Sequence, residues 1–168
     1  AEKLKTAAGA DKARLEGLRG KIAVANARLA YQSYKRIFSG PRWEALAAKG
    51  AQVQRPLWAS TGTKNPAYSD VLYVETLVGP HTVNTLPPAT LDAFRDHGRV
   101  ARTVDADDAG TRGAIQQIEA HGVSLASVTD QLLVEGLQSF QKSFDSLLAG
   151  IEKKTAMLSK QKPDARQP

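Results

Sequence analysis

The 168 residues predict an α/β fold, and three observations carry the prediction. Residues 52–97 alternate between short β-branched or apolar runs and helical spacing, in the order strand, helix, strand, helix, which is the signature of a parallel sheet covered by helices. Long stretches on either side repeat apolar residues every three or four positions. One apolar run stops in a loop of small residues that ends in a lysine, Trp58-Ala59-Ser60-Thr61-Gly62-Thr63-Lys64.

Residues 12–38 are predicted as one helix, with Ala23, Ala27, Ala30, Tyr34 and Phe38 along its apolar stripe. Gly40-Pro41 stops it, and a short helix from about Pro41 to Ala48 follows, since proline suits a first turn and not a helix interior. Around Val53, Leu57 and Trp58 the period changes to that of a strand near residues 53–60, in which Arg55-Pro56 allows ladder pairing only beyond the proline. Residues 68–78 follow helical spacing, with Ser69-Asp70 as the cap and Gly79-Pro80 as the stop. The β-branched run at residues 82–86 is a second strand, closed by Pro87-Pro88. Residues 90–97 are helical with Leu91 and Phe94 inward, and residues 111–120 are helical after a polar connection. The longest helix is expected over about 124–159, with Val128, Leu132, Phe140, Phe144, Leu147, Ile151 and Leu158 on its apolar stripe. Residues 160–168 read as a polar tail, and the whole of 1–168 reads as a single segment.

Composition excludes several classes of function. Apolar residues make up 42% and charged residues 24%, as in soluble globular chains. No run approaches the roughly 18 apolar residues of a membrane span, so no membrane partner is expected. The charged start, Ala1-Glu2-Lys3-Leu4-Lys5, does not read as a signal peptide. With no cysteine, thiolate catalysis, disulfides and cysteine-based metal sites are excluded, and a cytoplasmic location is expected. The net charge of +6 is unevenly spread: +8 over residues 1–58, −5 over 59–150 and +3 over 151–168. The basic residues are scattered among alanines on a helical pattern without interleaved aromatics, which argues against a nucleic-acid partner.

A strand that ends in small residues and a lysine is how an α/β barrel presents an anion site at the C-terminal edge of its sheet. Lys64 admits three readings: a phosphate ligand beside Ser60, a nucleophile, or a solvated loop lysine. Nucleophilic use requires a neutral amine, and no apolar strand buries this one. Ser60 and Thr61 read either as phosphate hydroxyls or as turn residues satisfying backbone groups, and Arg55 reads as structural. His81, His97 and His121 lie far apart at glycines or helix ends, without metal-ligand spacing. Asp105, Asp107 and Asp108 lack the glycine and distal glutamate of a calcium loop and read as favouring a following helix start. Trp43, Trp58, Phe140 and Phe144 read as packing residues. No metal or cofactor is assigned.

Two strands do not close a barrel, which needs eight strands and typically 200 residues or more. The residues nevertheless carry a resemblance. The segment Arg55-Pro-Leu-Trp-Ala-Ser-Thr-Gly-Thr-Lys-Asn-Pro-Ala-Tyr68 closely resembles bacterial transaldolases. So do Ala25-Asn-Ala-Arg-Leu-Ala-Tyr31, Phe38-Ser-Gly-Pro-Arg-Trp43 and Thr82-Val-Asn-Thr-Leu-Pro-Pro-Ala-Thr-Leu-Asp-Ala-Phe94. The helical run from Gln131-Leu-Leu-Val-Glu-Gly-Leu137 to Lys142-Ser-Phe-Asp145 completes the match, in order, over roughly residues 10–155.

The resemblance implies a (β/α)8 barrel of which this chain is the C-terminal portion: strand seven at residues 53–60, strand eight at 82–86, their helices, and C-terminal helices packed over the barrel mouth. It implies transfer of a dihydroxyacetone unit between sugar phosphates in the pentose phosphate pathway, through a Schiff-base lysine and carboxylates that lie outside these residues. The implied partner is the N-terminal part of the barrel, in the same polypeptide or a second chain. Ser60 and Lys64 are implied as phosphate-binding residues, and the chain alone is expected to be inactive. The alternative reading is a non-catalytic, helix-rich fragment or interaction module.

Overall fold

A computed structural model describes residues 2–161. The chain, read from sequence as one segment, divides into two units, Ala1–Gly122 and Val123–Pro168. In the first unit the order is α1 (Glu2–Thr6), α2 (Gly9–Gly17), α3 (Ile22–Ile37), α4 (Gly40–Ala47), β1 (Leu57–Ala59), α5 (Leu72–Glu75), β2 (Val83–Thr85), α6 (Pro88–His97) and α7 (Asp108–Ala120). The described residues of the second unit form one helix, α8 (Leu125–Gln161).

The sheet consists of two parallel strands with Leu57 opposite Val83, Trp58 opposite Asn84 and Ala59 opposite Thr85. Pairing starts just after Pro56, whose carbonyl accepts from the Val83 N–H at 2.9 Å. Parallel strands require a crossover, and the stretch containing α5 supplies it. One face of β1 points Trp58 into a core with Val24, Tyr31, Leu77 and Val104. The buried indole Nε1–H donates to the Leu77 carbonyl at 3.1 Å, which satisfies a donor that would otherwise be stranded in an apolar interior. Tyr31 O–H reaches the Pro80 carbonyl at 3.2 Å and ties α3 to the end of the crossover.

Several elements differ from the sequence expectation. The helix expected over residues 12–38 is two helices. Gly20 takes φ +74° between α2 and α3, a left-handed step that a continuous helix cannot contain. The site of its absent Cβ lies 3.4 Å from the Tyr68 ring, so the break also seats that aromatic. The helix expected over 68–78 reduces to Leu72–Glu75, flanked by tight turns: the N–H groups of Leu72, Val74 and Leu77 bond three residues back. Ser69 does not cap a helix directly; its Oγ accepts from the Val71 N–H at 3.3 Å. On α6, Thr90 is buried, while Leu91 is 45% exposed rather than inward.

Asp107 caps α7, its Oδ1 accepting from the Gly110 N–H at 2.8 Å. Asp105 instead binds Arg102, and Asp108 accepts from Gln32 Nε2 at 2.8 Å. In the second unit Phe140 is 80% and Phe144 55% exposed, so neither is a core residue there, because a single helix has no interior of its own. Among the described residues no helix is long and apolar enough to cross a membrane.

Candidate phosphate site at the strand ends

Both strands end on the same edge of the sheet because they are parallel, and the loops that leave them meet there. At the end of β1 the chain turns sharply: Ser60 takes φ +53°, the left-handed region that costs a side-chain-bearing residue about 1–2 kcal/mol. The turn is held from β2. Ser60 N–H donates to Thr85 Oγ1 at 3.3 Å, and Thr61 Oγ1 donates to Asn84 Oδ1 at 2.7 Å. With Thr61 buried, the second of these clamps has little competition from water.

Past the turn, Gly62 lies against the start of α6. A Cβ there would stand 3.0 Å from Pro87 Cγ and 3.2 Å from Thr90 Oγ1, so glycine eases an approach in which any side chain would make those neighbours give way slightly. Ser60, Gly62, Thr63 and Lys64 then line one face of a pocket of about 320 Å³, with Pro87, Ala89 and Thr90 of α6 and its entry on the other, and Asp70 at its side.

The structure therefore brings Ser60 and Lys64, both expected as site residues, to one pocket. Both are exposed, and neither the Ser60 hydroxyl nor the Lys64 ammonium has a hydrogen bond or ion pair among the described residues. Thr61, read as a hydroxyl ligand or a turn residue, is committed to Asn84 and is a turn residue. Sequence reasoning missed Thr63, whose Oγ1 is buried without a hydrogen-bond partner beside Lys64. An unpaired buried hydroxyl costs about 1–3 kcal/mol, so a ligand that accepts from it recovers that cost. Thr90, buried across the pocket, also escaped sequence reasoning, since a threonine in the first turn of a helix carries no particular signal.

The one carboxylate at this pocket is engaged. Asp70 Oδ1 lies 2.9 Å from His97 Nε2, and His97 Nδ1 lies 3.1 Å from Asp96 Oδ2. Hydrogen bonding to Asp70 and then to Asp96 raises the His97 pKa above its usual value, and the bond to His97 lowers that of Asp70. The imidazolium thus offsets a negative charge that would repel an anion. The 27 residues separating the pair leave no trace in a sequence pattern. His97 ends α6, as expected, and its contact with Asp70 also joins α6 to the loop before α5.

The other titratable residues stand apart. Arg102 holds Asp105 well below the usual carboxylate range, with a contribution from Lys35 at 3.4 Å. His121 Nδ1 donates to the Gln117 carbonyl at 2.7 Å. Among the described residues no group of three or more histidines and carboxylates has the arrangement to hold a metal ion.

The family profile described as Transaldolase/Fructose-6-phosphate aldolase matches residues 2–151. A transaldolase of Trichodesmium erythraeum is 50% identical over 150 residues, covering 88% of this chain and 40% of that protein. Transaldolase 2 of a Nostoc species is 49% identical over 164 residues, 92% of this chain and 42% of the relative. Transaldolase 1 of Streptomyces coelicolor is 52% identical over 138 residues, 82% of this chain and 36% of the relative. The chain thus spans about 40% of the length of the curated relatives it matches.

Proposed function

Because the chain belongs to the transaldolase/fructose-6-phosphate aldolase family, we propose that it supplies the phosphate-binding end of a transaldolase, which transfers a dihydroxyacetone unit between sugar phosphates. In this reading β1 and β2 are the last two strands of a (β/α)8 barrel, and the rest of the barrel is supplied by an N-terminal part in the same polypeptide or a second chain. The observation that carries the reading is the pocket at the C-terminal strand ends, where an unpaired ammonium, an unpaired exposed hydroxyl and an unpaired buried hydroxyl converge.

Each group has a distinct task. Lys64 offers a mobile point charge to the phosphate dianion. Ser60, in a left-handed turn, is exposed, and its hydroxyl has no hydrogen bond among the described residues. Thr63 donates from the buried side. Binding energy gained on the phosphate, remote from the reacting carbons, positions the carbonyl for attack. Lys64 is unsuited to be the nucleophile itself: an amine that forms a Schiff base at neutral pH needs burial or a neighbouring cation to lose its proton, and Lys64 is exposed. The nucleophile and the proton-transferring carboxylates therefore belong to the N-terminal part, and this chain alone is inactive.

Kinetics of Lys64→Ala in the complete enzyme test the reading. Loss of one charge-assisted bond, about 1.5–3 kcal/mol, raises KM for a phosphorylated ketose roughly 10- to 100-fold. A non-phosphorylated analogue is affected much less. An unchanged KM for the phosphorylated substrate removes Lys64 from the site.

A further inference from the structure

A separate cavity of the first unit, about 570 Å³, is lined by α2, α3, α7 and the crossover near α5. Three cationic residues line it, Arg14, Lys21 and Arg28, against the single carboxylate of Asp107. That carboxylate is already the cap of α7, bonded through Oδ1 to the Gly110 N–H. Arg14 is partly neutralised by Asp11 at 3.6 Å. Lys21 is exposed, and no carboxylate pairs with it among the described residues.

Arg28 is the unusual member. Its guanidinium is half-buried, one Nη2–H reaches the Thr76 carbonyl at 3.4 Å, and Nε is buried with no partner. No carboxylate pairs with Arg28 among the described residues. The buried Nε–H has no acceptor among the described residues and the guanidinium makes one long hydrogen bond, so the part of the group that is out of water is left poorly compensated. The compensation missing from the fold is an acceptor with negative charge, and the cavity beside it has room for one. Leu18, Val24 and Leu72 supply an apolar wall against which a small carbon skeleton fits.

We propose that this cavity is a second anion site that takes a phosphate group, free or on a small organic monoester, with Arg28 as its anchor and Lys21 as its outer cation. The site stands on its own observations and does not depend on the role of Lys64.

Calorimetric titration of the protein with inorganic phosphate separates the two. Lys64→Ala retains phosphate binding. Adding Arg28→Gln to it weakens that binding by about tenfold or more, as expected for a charge-assisted contact, and adding Lys21→Gln weakens it roughly two- to fivefold, as for an exposed cation. The exposed Lys21 leaves the fold intact, so the second variant decides the matter if Arg28→Gln does not fold. Loss of all phosphate binding in Lys64→Ala overturns the proposal, as does binding that neither added substitution weakens. Tighter binding of glycerol 2-phosphate than of inorganic phosphate assigns the site to esters, and the reverse order assigns it to free phosphate.

Discussion

Ser60 combines backbone strain with a candidate ligand hydroxyl, and two substitutions separate these properties. Its φ of +53° costs an L-residue about 1–2 kcal/mol. Glycine removes that cost but brings greater freedom to the unfolded chain, which returns roughly 0.5–1 kcal/mol. Ser60→Gly therefore stabilises the fold by roughly 0.5–1 kcal/mol net, about 1–4 °C in Tm for a chain of this size. Ser60→Ala keeps the strain and removes a hydroxyl with no internal partner, so its stability stays within about 0.5 kcal/mol of the parent. Urea unfolding followed by circular dichroism measures both. In the complete enzyme the two variants lose affinity for a phosphorylated substrate alike, since both lack the hydroxyl. A glycine variant no more stable than the alanine variant refutes the strain argument. Parental substrate affinity in both refutes the ligand role.

Three further outcomes follow from the same geometry. Gly62→Ala places a methyl group against the Pro87 ring, destabilises by about 1–3 kcal/mol and weakens phosphate binding through displacement of the loop; thermal unfolding and phosphate titration check it. Trp58→Phe leaves the Leu77 carbonyl without the indole donor in the core and costs about 1–3 kcal/mol in chemical unfolding. The Asp70–His97 pair has its own pH window. The raised His97 pKa contributes stability that is complete below its ordinary value of 6.5 and is lost as pH rises through the raised value. The lowered Asp70 pKa contributes stability present above 3.8 and lost as pH falls through the lowered value. Above the His97 pKa the Asp70 charge at the pocket is no longer offset, so phosphate affinity falls there more steeply in the parent than in Asp70→Asn, as a titration across pH shows.

What the sequence made legible were features that recur at short range. The three- and four-residue spacing of Val128 through Leu158 marks the helix observed as Leu125–Gln161. Arg55-Pro56 sets the start of strand pairing at Leu57, because proline has no N–H for the ladder. The loop from Ser60 to Lys64 reads from sequence as an anion loop, and in the structure Gly62 lies close against Pro87 and Thr90. The break at Gly20 was hidden because α2 and α3 share one alanine-rich pattern, and the Tyr68 ring that lies against Gly20 is far along the chain. The crossover helix shrinks because the chain enters and leaves it in tight turns, with the N–H groups of Leu72, Val74 and Leu77 bonded three residues back. The missed groups of the candidate site, Thr63, Thr90 and the Asp70–His97 pair, acquire their significance only through long-range placement.

In the proposed function this chain binds phosphate, and residues outside it carry the covalent chemistry. Borohydride reduction in the presence of fructose 6-phosphate, followed by intact-mass measurement and peptide mapping, tests that division most directly. The expected result is no adduct on the isolated chain and, in the complete enzyme, one reduced adduct on a lysine outside these 168 residues. An adduct on any lysine of this chain, Lys64 above all, contradicts it.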